Sequence, residues 1–311
     1  MGTYVIRRLL QSVLVLVGVT FLVYFILFQT GDPTFLSVST DTSQQEVERV
    51  RHELGFDRPW YIQYAQFLGH AVRGDLGTSL RQGLPVTGIV LERLPATLEL
   101  ALAAITVSLV IAFPVGILSA TRRNSVLDQA AMAGAVLGQS APTFFLGIML
   151  LFVFGGILNW LPIGGRGQTG PADELRHLVL PAITLGTFSM ARNARLVRSS
   201  LLETLGLEYV TVAWSKGLSE AAVILRHALR NALIPVVTVI GLEFGALLGG
   251  AIITETVFAW PGVGSLVVRA IGQKDFPVVV GCVTLLAVVF VTINLVVDVL
   301  YGYLDPRVRR A

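Results

Sequence analysis

A chain of 311 residues that is 54% hydrophobic and only 14% charged lacks the charge to coat a water-facing surface, since soluble domains carry about a quarter charged residues. With a mean hydropathy of +0.73, composition excludes an ordinary soluble globule and places the chain among membrane proteins. The formal net charge of +3 would suit a nucleic-acid binder, but where the charges sit, described below, removes that reading.

The first element is the apolar run Leu9–Phe28, preceded by Arg7 and Arg8. It is longer than a secretory leader's apolar region and no small-residue cleavage site follows, so it is expected to stay as a membrane anchor. Five further segments reach the length of about 20 apolar residues that crosses a bilayer: Ala96–Ala120, Ala130–Leu158, Leu178–Val197, Ala232–Val257 and Val278–Leu304. The runs are continuous rather than alternating, which favours helices over a membrane β-barrel. The expected fold is therefore all-α, a polytopic bundle of about six transmembrane helices. Pro114 and Pro142 are expected to kink the second and third spans.

An even number of spans puts both termini on one side, and the positive-inside rule selects that side. With the termini inside, the inner segments hold 13 basic residues against five acids, a net +8, and the outer segments hold 10 against 11. The basic excess reflects topology, and no nucleic-acid partner is expected. The outer side carries the long segment 29–95. Within it Gln44–Leu54 reads as an amphipathic helix with Val47, Val50 and Leu54 on one face. Pro59–Val72 reads as a second, with Trp60, Tyr61, Tyr64 and Phe67 suited to the membrane–water boundary. Two roles stay open for this segment: packing over the bundle, or forming an outer vestibule that meets a delivery partner.

The inner segment between spans four and five is the most informative. Glu208 to Lys216 reads as a short helix with its acid at the start and its base at the end, as the helix dipole favours. Gly217 is placed to stop it in a left-handed cap, and Ser219 to cap the next helix. Tyr209, Val210, Val212, Ala213 and Trp214 make an apolar helix on a segment that should face water, which marks either a protein contact or an interfacial helix on the lipid surface.

Here the chain resembles the permeases of ABC importers. Their cytoplasmic loop runs Glu-Ala-Ala, three residues, Gly, nine residues, then Ile-x-Leu-Pro; Ala213, Gly217 and Leu229 match, whereas Thr211 and Val212 replace Glu-Ala, His227 replaces Ile and Arg230 replaces Pro. The departures suit the dipeptide/oligopeptide permeases, and the resemblance there runs nearly end to end. It includes Gly31-Asp32-Pro33, Gly55-Phe56-Asp57-Arg58-Pro59, Gly74-Asp75-Leu76-Gly77, Leu94-Pro95-Ala96-Thr97-Leu98, Arg226-His227-Ala228-Leu229-Arg230-Asn231-Ala232, Phe258-Ala259-Trp260-Pro261-Gly262 and Asp275-Phe276-Pro277. It is nearest the first of the two permease subunits.

The resemblance implies a type I ABC importer permease of the bacterial inner membrane that carries di- or oligopeptides by alternating access. Glutathione or a nickel complex is the alternative cargo. It implies a second homologous permease, two cytoplasmic ATPase subunits and an external binding protein as partners. It also implies a division into an N-terminal helix and outer loop (1–95), a five-helix core (96–305) and a tail (306–311). Glu208, Tyr209, Val212, Ala213, Trp214, Lys216 and Gly217 would couple to the ATPase. The chain has no Gly-x-x-x-x-Gly-Lys-Ser/Thr loop, so ATP and Mg would bind the partners and this chain would hold no cofactor.

Gly165, Gly167 and Gly170 fit a dinucleotide-binding pattern but lie in an outer loop with no βαβ context, so a plain loop is expected. The four histidines lack metal-ligand spacing, and no catalytic constellation is found. Cys282 reads as a small apolar packing residue. Glu99, Glu243, Glu255 and Asp298 lie in or near spans, where an ionisable group is a functional candidate. Glu99 and Glu255 sit near outer ends, with an anchoring role expected; Asp298 is expected to pair with inner arginines. Glu243 lies mid-span, facing the translocation pathway, a partner subunit, or a hydrogen bond within the bundle. A rival reading makes it the ion site of a self-sufficient secondary transporter or channel. Gly241, Gly245 and Gly249, spaced by four on the same helix, suit close helix approach or a pathway wall.

Overall fold

The computed structural model describes residues 2–29, 44–53 and 57–304. The chain divides into two compact units, residues 1–97 with 261–311, and residues 98–260.

The first unit contains α1 (Gly2–Gln29), α2 (Gln44–Glu53), α3 (Trp60–Ala71), the start of α4 (Val86–Thr121), α10 (Val263–Gly272) and α11 (Phe276–Leu304). α1 packs along α11. The core of this unit is β-branched and small: Val86, Val90, Val263, Val267, Val278 and Cys282 are buried together. Gly281 lies against Val86 and Leu76, with no room for a Cβ. The segment before α4 is clasped by Asp275, whose carboxylate accepts from Ser79 Oγ at 2.5 Å and from the Leu80 amide at 3.1 Å. Thr97 Oγ1 accepts from the Val263 amide at 2.8 Å and so supplies the first turn of α10 with an acceptor its own backbone lacks. α10 was not expected from the sequence, because ten residues are too few to register as a span.

The aromatic face of α3 stacks on α1. Phe21 meets Trp60 and Tyr64 edge-on at 5.7 and 5.6 Å, and Tyr64 donates to the Val17 carbonyl at 2.8 Å. Of the two roles open for the outer segment, packing is thus occupied. The expected apolar face of α2 falls outside the residues whose side chains are described.

The second unit contains the rest of α4, α5 (Val126–Ser140), α6 (Thr143–Leu150) running on as a π-helical stretch Leu151–Ile157, α7 (Pro171–Leu205), α8 (Glu208–Ser215) and α9 (Leu229–Val257). α9 is entered through Glu220–Ala222 and a π-helical turn Val223–Ala228. α4 and α7 approach through small residues. A Cβ on Gly186 would stand 2.6 Å from the Ala104 carbonyl oxygen, and one on Gly116 2.7 Å from Val197 Cβ.

Four described helices are long and apolar enough to cross a membrane: Ile6–Gln29, Val86–Thr121, Pro235–Val257 and Phe276–Val299. The third expected span differs from a kinked helix. Its halves, Val126–Ser140 and Thr143–Ile157, meet at 101°. Pro142 has no amide to donate, and it forces Ala141 out of the helical region to φ −78°, ψ 132°, so the helix stops rather than bends. The fourth expected span is the 35-residue α7. It falls short in apolarity because Arg176 and His177 at one end and Arg192 and Arg195 at the other bracket a short apolar stretch, Leu178–Ala191, while its buried face also carries Thr184, Ser189 and Asn193.

Candidate functional site

α8 is an amphipathic helix set on the second unit. Val210 and Ala213, three apart and therefore on one face, are buried against Ala120, Leu201, Val223, Ile224, Ala228 and Ala232. The opposite face holds Tyr209, Val212 and Trp214, the last two 52% and 43% exposed, flanked by exposed Leu207 and Leu218. Glu208 stands in the first turn, and Gly217 ends the helix at φ +76° with open space around it, as expected of a left-handed stop. Ser219 stands at the start of the next turn without making the expected side-chain cap. The helix is also pinned by Tyr209, whose hydroxyl accepts from Asn231 Nδ2 at 2.7 Å and donates to the His227 carbonyl at 3.3 Å. Of the seven residues the sequence assigned to a coupling surface, Ala213 is on the anchoring side. Glu208, Tyr209, Val212, Trp214, Lys216 and Gly217 are exposed.

Glu243 lies buried in the middle of α9. Its Oε2 accepts from Asn193 Nδ2 at 2.8 Å, and its Oε1 lies 3.4 Å from Arg192 Nε. Asn193, with no exposed surface, also reaches Ser108 Oγ at 3.3 Å. One amide thus gathers polar groups from α4, α7 and α9, and Glu243 makes a hydrogen bond within the bundle. Sequence reading missed Asn193 and Ser108. The signal available was a carboxamide between Arg192 and Arg195 near the end of an apolar stretch. Gly245 on α9 is buried and Gly241 half-buried, whereas Gly249 faces open space.

Asp298 pairs with Arg8 at 3.2 Å, joining α11 to α1 as expected of an inner arginine. Glu99 pairs with Arg166 at 2.8 Å, and Arg166 also bridges Glu174 and lies 5.9 Å from the Trp260 ring. Glu255 is fully buried, deeper than an anchoring role at a helix end requires. The glycines 165, 167 and 170 form the loop before α7. There Asp173 accepts from the amides of Gln168 and Thr169 at 3.0 and 3.3 Å, which hold its carboxyl below the usual carboxylate range, the Thr169 amide contributing most.

The described residues form long apolar helices with a short amphipathic helix set on the second unit, and solved structures share this fold. A chain of a structure titled as inward-facing conformations of the MetNI methionine ABC transporter superposes with a TM-score of 0.57 at 19% identity, covering 70% of this chain and 96% of that one. A chain of an amino acid ABC transporter gives 0.54 at 16% identity, covering 70% and 94%. The fold is thus that of the type I ABC importer permeases. Residues 112–310 match the family described as binding-protein-dependent transport system inner membrane component, and residues 1–101 match its N-terminal companion. The chain belongs to this family of transport permeases.

Its relatives include the dipeptide transport system permease protein DppB of Alkalihalophilus pseudofirmus, 39% identical across 99% of this chain and all of that protein. The oligopeptide transport system permease protein AppB of Bacillus subtilis is 38% identical across 99% of each chain. The glutathione transport system permease protein GsiC of Escherichia coli is 41% identical, again across 99% of each.

Proposed function

We propose that this chain is one of two permease subunits in an ATP-driven importer of di- or oligopeptides. The observation that carries the coupling role is the exposed apolar face of α8, where Tyr209, Val212 and Trp214 stand out from a helix anchored by Val210 and Ala213. A surface of that kind outside the membrane-length helices fits a protein groove, and the groove belongs to a separate ATPase chain that binds ATP and Mg. The peptide cargo is supported by the relatives named for dipeptides and oligopeptides. The equally similar glutathione permease supports glutathione, itself a small peptide, as the second cargo.

In this reading both termini and α8 are cytoplasmic, following the basic excess of the inner segments. Residues 1–95 form the first transmembrane helix and an outer segment that meets the binding protein, and 96–305 form the core. Glu243 and Asp298 serve helix association through Asn193 and Arg8, and Gly241 and Gly245 give α9 its close approach to neighbouring helices.

The test is a pull-down of the solubilised transporter. Wild-type protein is expected to bring down a Walker-motif ATPase and a second permease. Trp214→Asp is expected to lose the ATPase and keep the permease. Retention of both by the variant, with normal peptide uptake, would overturn the coupling assignment.

A further inference from the structure

α7 carries three arginines at intervals of three, Arg192, Arg195 and Arg198, and all three line one open cleft of about 430 Å³. Its other walls include Met132 from α5, Val239 from α9 and Ser199. The three guanidinium groups differ in how their charge is met. Arg198 grips Asp128 with two bonds, Nε to Oδ1 at 2.7 Å and Nη2 to Oδ2 at 2.8 Å. Arg192 faces Glu243. Arg195 bonds the neutral amide of Gln139. Three cations against two carboxylates, one of which (Asp128) also faces Arg123, leave the cleft positive, with Arg195 the arginine that faces a neutral amide.

The cleft's depth follows from helix geometry. From Leu178, where the apolar part of α7 begins, Arg192 is about 21 Å along the axis and Arg198 about 30 Å. A hydrocarbon core is about 30 Å thick. The arginine stripe therefore crosses the boundary between hydrocarbon and headgroups, at the end of α7 placed inside under the reading above.

We propose that this cleft binds the headgroup of an anionic phospholipid of the inner leaflet. A phosphodiester brings the negative charge that Arg195 lacks, and guanidinium forks match phosphate oxygens in pairs. Basic pockets between membrane helices on the cytoplasmic side take such headgroups. Met132 and Val239 give the glycerol and upper acyl chain an apolar wall. The chemistry shared with a rival source, the carboxylate of a peptide in transit, is a singly charged oxyanion.

The experiment uses the full transporter complex in mild detergent. Retained lipid is counted by native mass spectrometry after exposure to equal phosphatidylglycerol and phosphatidylcholine. Wild-type protein is expected to favour phosphatidylglycerol by about five-fold, the selectivity of one basic group near a membrane surface. Arg195→Gln is expected to abolish that preference. Gln139→Glu, which neutralises Arg195 without removing it, is expected to do the same and covers the case in which Arg195→Gln fails to fold. Equal retention of the two lipids by wild type, or an unchanged preference in both variants, overturns the proposal. So does displacement of the lipid by millimolar dialanine, which would assign the cleft to substrate carboxylate. ATPase capture is read from the same sample, so loss of lipid selectivity is separable from failure of the importer reading.

Discussion

At the scale of single residues, Asn193 holds the most consequential position. It donates the hydrogen bond that Glu243 Oε2 accepts, inside a bundle where water does not compete. Hydrogen bonds to charged groups contribute about 1.5–3 kcal/mol, and leaving a buried charge without its partner costs more. Asn193→Leu is therefore expected to lower the unfolding temperature in detergent by several degrees. Adding Glu243→Leu is expected to restore part of the loss, because both ends of the interaction are then removed. A double variant no more stable than the single would show that Glu243 is held by other means. Gly217 offers a purely conformational test. Nothing lies within 4 Å of a Cβ there, yet φ is +76°, so Gly217→Val costs roughly 1–2 kcal/mol of backbone strain alone. ATPase capture should fall in Gly217→Val and survive in Gly217→Asn, which tolerates the left-handed region. Asp173 gives a pH-dependent case. Its carboxyl is held below the usual range, so its contribution is present above the unfolded value and lost as pH falls through the folded one. Asp173→Asn should remove the acid-side part of the stability profile that belongs to this loop.

At the scale of elements, α8 stands on two small anchors and α4 on α7 through two glycines. Val210 is fully buried, and Val210→Ala is expected to cost roughly 2 kcal/mol from lost burial and residual cavity. The readout is protease sensitivity of the segment around α8; a variant as resistant as wild type would show the helix is held by Tyr209 and its bond from Asn231. Gly186→Leu drives a side chain into the Ala104 backbone. Backbone cannot move aside as a flexible side chain can, so this variant should separate α4 from α7 and fail to accumulate in the membrane. Normal yield would contradict the close approach. The break at Ala141–Pro142 belongs to this scale too. Proline chemistry predicts some departure from a straight helix, but whether a span bends or stops depends on what each half packs against.

At the scale of the molecule, the proposed orientation is tested by single-cysteine labelling in a Cys282→Ser background. Position 212 on α8 is expected to react with an impermeant maleimide only after the membrane is opened, and position 168 in the loop before α7 without opening. The reverse pattern would invert the topology and remove the basis for an ATPase at α8. Much of this level was legible in sequence. Five expected spans fall on helices, because a continuous apolar run in a bilayer has no other way to satisfy its backbone; α9 and α11 keep close to their expected bounds, whereas α1, α4 and α7 run well beyond theirs. α8, with its acidic start and Gly217 stop, was legible because caps and dipoles act within a few residues. The Arg8–Asp298 pair was half legible, since a base beside the first span and an acid near the end of the last one seek each other.

What sequence alone determined, then, is whatever depends on neighbours in the chain: membrane class, helix positions, the charge asymmetry, and the ends of α8. Tertiary structure decided what depends on partners far away. It turned Ala213 inward and Trp214 outward, since the pattern of α8 does not say which apolar face the bundle takes. It joined Asn193 to Glu243 across 50 residues and placed the first and last helices in one unit. It also carried α7 past the charged residues at both ends of its apolar stretch into one 35-residue helix. Those outcomes rest on packing between separate helices, which carries no periodicity a single segment can display.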